Sequence, residues 1–294
     1  MVLAGGPDRE RQVSLMSGAE VTSGLRQAGH EVMHRDIGPS DLSALEAFEA
    51  WTGDVIFPAL HGSWGEGGGL QRILDERGLP YVGCSTVAAD LCMDKHLSKL
   101  AFEAHGLPTP PSQIIGVGEA PTMPAPIVIK PLREGSSIDV MICYDAEGAR
   151  RAHTAVAKRY DRLLVEKYIH GMELTVGILG DEALPPIHII SSTDFYDYEA
   201  KYKREDTQYR FDIELPQSVL EQVSALALKA HRVLGCRHLS RVDIIVDDDS
   251  QPWVLEVNTI PGFTSHSLVP KAAARAGIAW PQLVDRLARM AMAP

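Results

Sequence analysis

The 294 residues carry 39 Asp and Glu against 28 Lys and Arg, a formal charge of −11. That balance excludes the clustered basic surface a nucleic-acid binder needs, and no apolar run reaches the roughly 20 residues of a transmembrane helix. A chain of this length is expected to fold as two or three compact units with a substantial core. Cys84, Cys92, Cys143 and Cys236 show neither a CxxC spacing nor a Cys/His cluster, so no zinc site or disulfide framework is expected. Reduced thiols and a start that runs from Met1 straight into Gly5-Gly6, without a signal-peptide h-region, point to a cytoplasmic protein.

Residues 1–88 alternate short apolar runs with helical patterns: Met1–Ala4, Val13–Ala28, Glu31–Arg35, Asp54–Pro58, Gly69–Arg77 and Leu79–Gly83. Such alternation predicts a parallel α/β unit. The segment Gly5–Ser14 follows the first strand, where α/β proteins place ligand loops, but it lacks the G-x-G-x-x-G of a dinucleotide fold. Glu10 in it is a solvated charge unless a ligand ammonium needs it. The glycine-rich loop Leu60–Gly69 leads into a helix, a geometry that suits anions, and its His61 reads either as a substrate hydrogen-bonder or, the commoner meaning of a lone histidine, as a satisfied structural residue.

Residues 89–168 read as a small α+β unit, with a long helix over Ala89–His105, a Pro-rich connector over Leu107–Pro126, and strands at Ile127–Lys130 and Val140–Tyr144. A helix near Ala146–Tyr160 and a strand over Leu163–Ile169 complete it. Lys130 ends a strand and precedes the small-residue turn Gly135-Ser136-Ser137, whose N–H groups can cradle phosphate while the lysine adds charge. The plain alternative is an ordinary turn beside a surface lysine.

Residues 169–294 form a third unit. Ser191–Asp212 is polar, aromatic and long for a connection, as functional lids are. Gln217–Leu234 and Trp280–Met292 carry helical periodicity. Between them His238–Val246 and Gln251–Asn258 flank the turn Asp247-Asp248-Asp249-Ser250, so a hairpin is predicted. Residues two apart share a strand face, and a turn centred near Asp249 and Ser250 sets Asp243 opposite Glu256 and Arg241 opposite Asn258. Facing carboxylates repel unless a cation intervenes. Two carboxylates and an amide oxygen are hard ligands suited to Mg²⁺. The alternative is an acidic hairpin edge with solvated charges.

Taken together, GGPDRERQVSLMSG, ALHG, GLPYVG, MDKHLSK, IVIKPLREGSS, FYDYEAKY, DTQY, SRVD and LEVNTIPGFTSHSLVP resemble, in order and spacing, the D-alanine–D-alanine ligase family of the ATP-grasp superfamily. The likeness spans essentially the whole chain. It implies a three-domain architecture of α/β and α+β units: residues 1–88 for substrate, 89–168 as the central ATP-grasp unit, and 169–294 with the metal site and lid. It implies ATP, two Mg²⁺ ions with Mn²⁺ as a substitute, two molecules of D-alanine, and a homodimer.

By the same resemblance Asp243, Glu256 and Asn258 are the metal ligands. Lys95, Lys130, Ser136 and Lys201 fall at phosphate positions, and Glu166, Lys167, Ile169, Glu173 and Leu255 at those that receive adenine and ribose. Glu10 holds the first D-alanine ammonium, with His61, Ser267 and Leu268 as further substrate positions. Ser136, Tyr202, Arg241 and Gly262 orient substrates or stabilise the reaction. The implied activity joins two D-alanines through an acyl phosphate, with ADP and phosphate released, for peptidoglycan precursors. Three departures stand out: Asp139 where glycine is common, Gly67 where an acidic residue is common, and a short connector around Gly116–Pro124. An ATP-grasp ligase for another amino or hydroxy acid, or a non-catalytic nucleotide-binding regulator, are the competing readings.

Overall fold

The computed structural model describes residues 1–190, 207–264 and 267–292. Among them three β-sheets carry the fold. In the first, β1 (Val2–Gly5) lies between β2 (His34–Ile37) and β3 (Phe57–Pro58), all parallel. All four residues of β1 are buried, as a strand covered on both faces requires. Helices α1 (Arg11–Gln27) and α2 (Ser43–Trp51) make the two crossovers. The strand expected at Leu79–Gly83 contributes only a bridge from Tyr81 to Ile56. Pro80 offers no N–H to extend the ladder, and Gly83 turns away at φ 111°, a conformation glycine adopts without penalty.

The glycine-rich loop contains one turn, α3 (Gly62–Gly65), and then α4 (Gly69–Glu76). The long helix expected over Ala89–His105 is two helices, α5 (Thr86–Met93) and α6 (Lys95–Ala104), the first of which starts before residue 89. Asp94 breaks them apart. Its carboxylate accepts from the N–H groups of His96 and Leu97, both at 3.1 Å, and this N-cap competes with helix continuation.

The second sheet is antiparallel, in the order β4 (Ser112–Gly116), β7 (Arg162–Lys167), β5 (Ile127–Pro131), β6 (Met141–Cys143). The helix α7 (Ala146–Val156) lays Ala149, Ala152 and Val156, one face of a helical repeat, on Ile115, Ile127, Ile129 and Val165. In the third sheet β8 (Gly171–Leu179) and β12 (Leu239–Asp247) pair along nine residues, flanked by β13 (Pro252–Asn258) on one side. On the other side lie β10 (Ile187–Ile190) and β11 (Gln208–Arg210), while β9 (Glu182–Ala183) pairs with β8. The helix α8 (Gln217–Val233) buries Val219, Val223, Ala227 and Ala230 against Val176, Val242, Ile244 and Val254 of this sheet.

The chain's ends close on each other. Val21 and Leu25 of α1 share one apolar core with Val269 of α9 (Leu268–Arg275) and with Leu283, Val284 and Leu287 of α10 (Trp280–Met292). The residues nearest the C-terminus thus shield the first sheet. Gly24 sits at the closest approach, under Trp280, whose indole N–H donates to the Glu20 carbonyl at 3.3 Å. A second tie runs through Gly83, which donates to His238 Nδ1 at 3.1 Å and accepts from Arg237 Nε at 2.7 Å.

Two outcomes are expected. Gly24→Ala, which in an open helix would gain about 1 kcal/mol, sets a Cβ 2.5 Å from Trp280 Nε1 and 3.0 Å from Val284 Cγ2. It should therefore lose about 1–3 kcal/mol, read as a lower denaturant midpoint; an unchanged or higher midpoint contradicts the packing. Burial brings both His231 and His238 down to about 4, so both are neutral in the fold, whereas the unfolded chain protonates them below about 6.5. Stability present above that pH is then lost as pH falls toward 4. His238→Asn, whose side chain tolerates the local φ of 63°, should flatten the decline, and parallel profiles would contradict the role of His238.

Candidate active site

The hairpin register at the site is the expected one, with Arg241 opposite Asn258 and Asp243 opposite Glu256. Nearer the turn it differs by one residue, because Ile244 pairs with Val254 and Leu255 is left over as a β-bulge. Strict alternation would send Leu255 and Glu256 to opposite faces. With the bulge both line the same cleft, beside Asp243 and Ile245.

The facing carboxylates have cationic side chains of the protein beside them. Arg241 grips Asp243 with two bonds, Nε to Oδ1 at 2.9 Å and Nη2 to Oδ2 at 2.8 Å. Lys95 Nζ lies 3.6 Å from Glu256 Oε2. Thr175, on the neighbouring strand, donates to Asp243 Oδ1 at 2.6 Å, and the Asn258 amide donates to Oδ2 at 3.1 Å. A divalent ion remains compatible with this set. Glu256 is partly open to the cleft, and Asn258, having turned its nitrogen toward Asp243, keeps a carbonyl oxygen as a hard donor.

One cleft lies between the second and third sheets. Val128, Lys130 and Glu166 form one wall, Asp243, Leu255 and Glu256 the other, and Lys167, Ile169 and Glu173 line it where β7 passes into β8. Lys130 and Glu166 are both buried and form an ion pair. Lys99, which sequence alone leaves as one more helix lysine, pairs with the other Glu166 oxygen at 2.7 Å. Its ammonium also donates to Thr109 Oγ1 at 2.7 Å, so Lys99 is held between Glu166 and Thr109. Burial acts to raise the Glu166 carboxyl, yet Lys130 and Lys99 together hold it below the usual carboxylate value.

Over this cleft lies the small-residue turn. Ser136, Ser137 and Asp139 adopt φ of 50°, 57° and 57°, a left-handed run that non-glycine residues accept only when surroundings impose it. Lys95 imposes part of it, donating through Nζ to the Glu134 carbonyl at 2.6 Å and through its backbone to Leu132 at 3.0 Å. The departure at Asp139 does not leave a free negative charge, because its carboxylate meets Arg159 at 2.6 Å and the Tyr160 hydroxyl at 2.7 Å.

A second cavity adjoins the first across the hairpin, and Arg241 and Asn258 line it. Glu10 immediately precedes α1 but makes no side-chain cap; its buried carboxylate lines this cavity and accepts from the Ser136 hydroxyl. His61 is buried on the same wall, with Nδ1 3.1 Å from the Ile260 carbonyl and 3.6 Å from Glu66, and Nε2 3.5 Å from Ser17 Oγ. Burial pulls its pKa down, but Glu66, Glu10 and the Ile260 carbonyl more than offset this, and the net direction is upward. Burial raises Glu66 as well. Gly262, Ser267 and Leu268 close the far side, where Ser267 Oγ accepts from the Thr264 N–H at 3.1 Å.

Of the residues expected at the site, Lys201, Tyr202 and residues 191–206 of the expected lid Ser191–Asp212 lie outside the described residues; the rest of that segment is not all loop, since Gln208–Arg210 pairs as β11 with β10. The others line one of the two cavities. Glu66, Lys99 and Thr175 were not anticipated as partners. Each acts through a contact with a residue distant in sequence or across a loop, which leaves no local pattern to read.

Residues 115–289 match the family model described as D-ala D-ala ligase C-terminus. A D-alanine–D-alanine ligase of Marinobacter nauticus is 44% identical over 99% of this chain and 90% of that protein. One of Gluconobacter oxydans is 42% identical over 99% of this chain and 98% of its own length. The crystal structure of the Bacillus anthracis D-alanine–D-alanine ligase complexed with ATP superposes with a TM-score of 0.84 at 32% identity, covering 99% of this chain and 96% of that one. With relatives so similar along nearly its whole length and the same ATP-grasp fold, the chain belongs to the D-alanine–D-alanine ligase family.

Proposed function

We propose that this protein joins two D-alanine molecules into D-alanyl-D-alanine at the expense of ATP, as a step toward peptidoglycan. One observation carries the reading: the two cavities share a single floor, with Asp243 and Glu256 facing one and Arg241 and Asn258 the other. A reaction that moves a phosphoryl group and then an acyl group needs that adjacency. The first cleft fits ATP. Lys95 and Lys130 supply positive charge for phosphate.

A carboxylate is a poor acyl donor. The first D-alanine, its ammonium facing Glu10 and its carboxylate near His61, bonds through a carboxylate oxygen to the γ-phosphorus as the bond to ADP breaks. Lys95 and Lys130 offset the charge that gathers there. The free amine of the second D-alanine, its ammonium proton lost to solvent, attacks the carbonyl carbon of the acyl phosphate; the tetrahedral oxyanion so formed meets the Arg241 guanidinium and the Gly262 N–H, then collapses as the C–O bond to phosphate breaks and the nitrogen gives up its second proton to the departing phosphate. His61, whose pKa is pushed upward by Glu66 against the cost of burial, faces the substrate carboxylate. Asp243, Glu256 and Asn258 would hold Mg²⁺, which supplies Lewis-acid neutralisation of phosphate charge. Two such ions, or Mn²⁺ with the same taste for oxygen, belong to the proposal, as do Lys201 and Tyr202 as parts of a closing lid.

The wider proposal, resting on the likeness to relatives, is a cytoplasmic homodimer built of units bounded near residues 88 and 168. Among the described residues no helix is long and apolar enough to cross a membrane.

The direct test offers D-alanine, D-serine and D-lactate together with Mg-ATP and identifies the products. D-alanine-dependent phosphate release with D-alanyl-D-alanine is expected; a product containing only another acceptor would refute the dipeptide assignment. Glu256→Gln keeps shape and removes charge, so turnover at limiting magnesium is expected to fall at least about tenfold, with a higher magnesium requirement. A magnesium titration superimposable on the wild type would remove Glu256 from the metal site.

A further inference from the structure

We propose that Lys99 is a positioning residue for the nucleotide cleft, acting through Glu166 to keep the Lys130 ammonium available to phosphate; this rests on the ATP reading of that cleft. Lys99 lines neither cavity and is 1% exposed. A lysine is almost never placed so deep without a charge partner. Its partner is Glu166 Oε1 at 2.7 Å, while Lys130 holds the other oxygen of the same carboxylate. One carboxylate is therefore shared by two ammonium groups, and the trio keeps a net charge of about +1.

The sharing has a chemical purpose. Were Lys99 absent, Glu166 and Lys130 would form a closed, neutral pair in a poorly solvated place, and the Lys130 proton donors would be drawn to the carboxylate. With Lys99 present, Glu166 divides its hold, and a unit of positive charge stays beside the cleft. Lys99 also fixes where that charge sits. Its Nζ donates to Thr109 Oγ1 at 2.7 Å, and Thr109 donates to the Val254 carbonyl at 2.9 Å. Val254 immediately precedes the bulge residue and Glu256, so one buried chain of contacts joins α6, β7 and β13 behind the cleft. Burial pulls the Lys99 ammonium below its usual value, with Glu166 opposing, which fits a charge kept by its partner.

The test measures Mg-ATP affinity by calorimetry and the KM for D-alanine on the full-length chain. Lys99→Met is expected to weaken Mg-ATP binding at least about tenfold and to leave the KM for D-alanine unchanged. Because Glu166 itself lines the nucleotide cleft, the coupling is read against Glu166→Gln alone. If Lys99 acts through the Glu166 carboxylate, adding Lys99→Met to Glu166→Gln is expected to change Mg-ATP affinity by less than about threefold. A purely structural lysine would predict the same loss in both backgrounds. Wild-type affinity in Lys99→Met, or a double variant at least about tenfold weaker than Glu166→Gln alone, overturns the proposal. Should Lys99→Met not fold, the double variant measured against Glu166→Gln decides by itself, on the same tenfold criterion. A wild-type chain that does not bind Mg-ATP refutes the nucleotide reading instead, so the two failures are distinguishable.

Discussion

The Arg241–Asp243 pair is the contact on which both halves of the site depend. Two carboxylates on facing strand positions would push β12 and β13 apart. The guanidinium, clamped on Asp243 by two hydrogen bonds at 2.9 and 2.8 Å, makes the ladder tenable before any ligand arrives. Thr175 and Asn258 complete the shell of Asp243 from the strands on either side. A bidentate pair fixes direction as well as charge. The remaining edge of Arg241 is thereby left toward the cavity lined by Glu10 and His61, while Glu256 faces the cleft between the second and third sheets. The pair is held within the longest ladder among the described residues, where β8 and β12 run together for nine residues.

Around that floor the protein arranges charge by sharing. Glu166 stands between Lys99 and Lys130, Glu256 faces Lys95, and Glu10 accepts from Ser136. Lys95 works at two places, since the same side chain also anchors the Glu134 carbonyl. The left-handed turn from Ser136 to Asp139 and the hairpin are therefore mechanically connected. Placing Lys95 there depends on Asp94, whose cap ends one helix and starts another in a new direction.

How much of this was legible in the sequence varies with the range of the interaction. The hairpin register at Arg241 and Asp243 was, because alternation and an acidic turn are local signals with a period of two, whereas the shift at Leu255 leaves no such signal. Helices such as Trp280–Met292 were, since their apolar faces repeat at helical spacing. The division at Asp94 was not: an aspartate within a helical pattern reads as interior or cap depending on where the chain must go next. Lys99 and Glu66 were not, because a buried lysine and a surface lysine are the same letter, and only packing tells them apart. The apolar core shared by α1 and α10 was equally hidden, as it joins residues more than two hundred positions apart.

The bulge at Leu255 gives this site an unusual kind of dependence. Adjacent residues of a regular strand address opposite faces, so no choice of side chains could let positions 255 and 256 serve one cleft together. An extra residue can. Removing it would leave a carboxylate facing Asp243 in an unbroken ladder and strip only the apolar surface beside it. At this point the chemistry is written in the length of the chain more than in the identity of any residue, and a comparison of sequences that scores letters alone would pass over it.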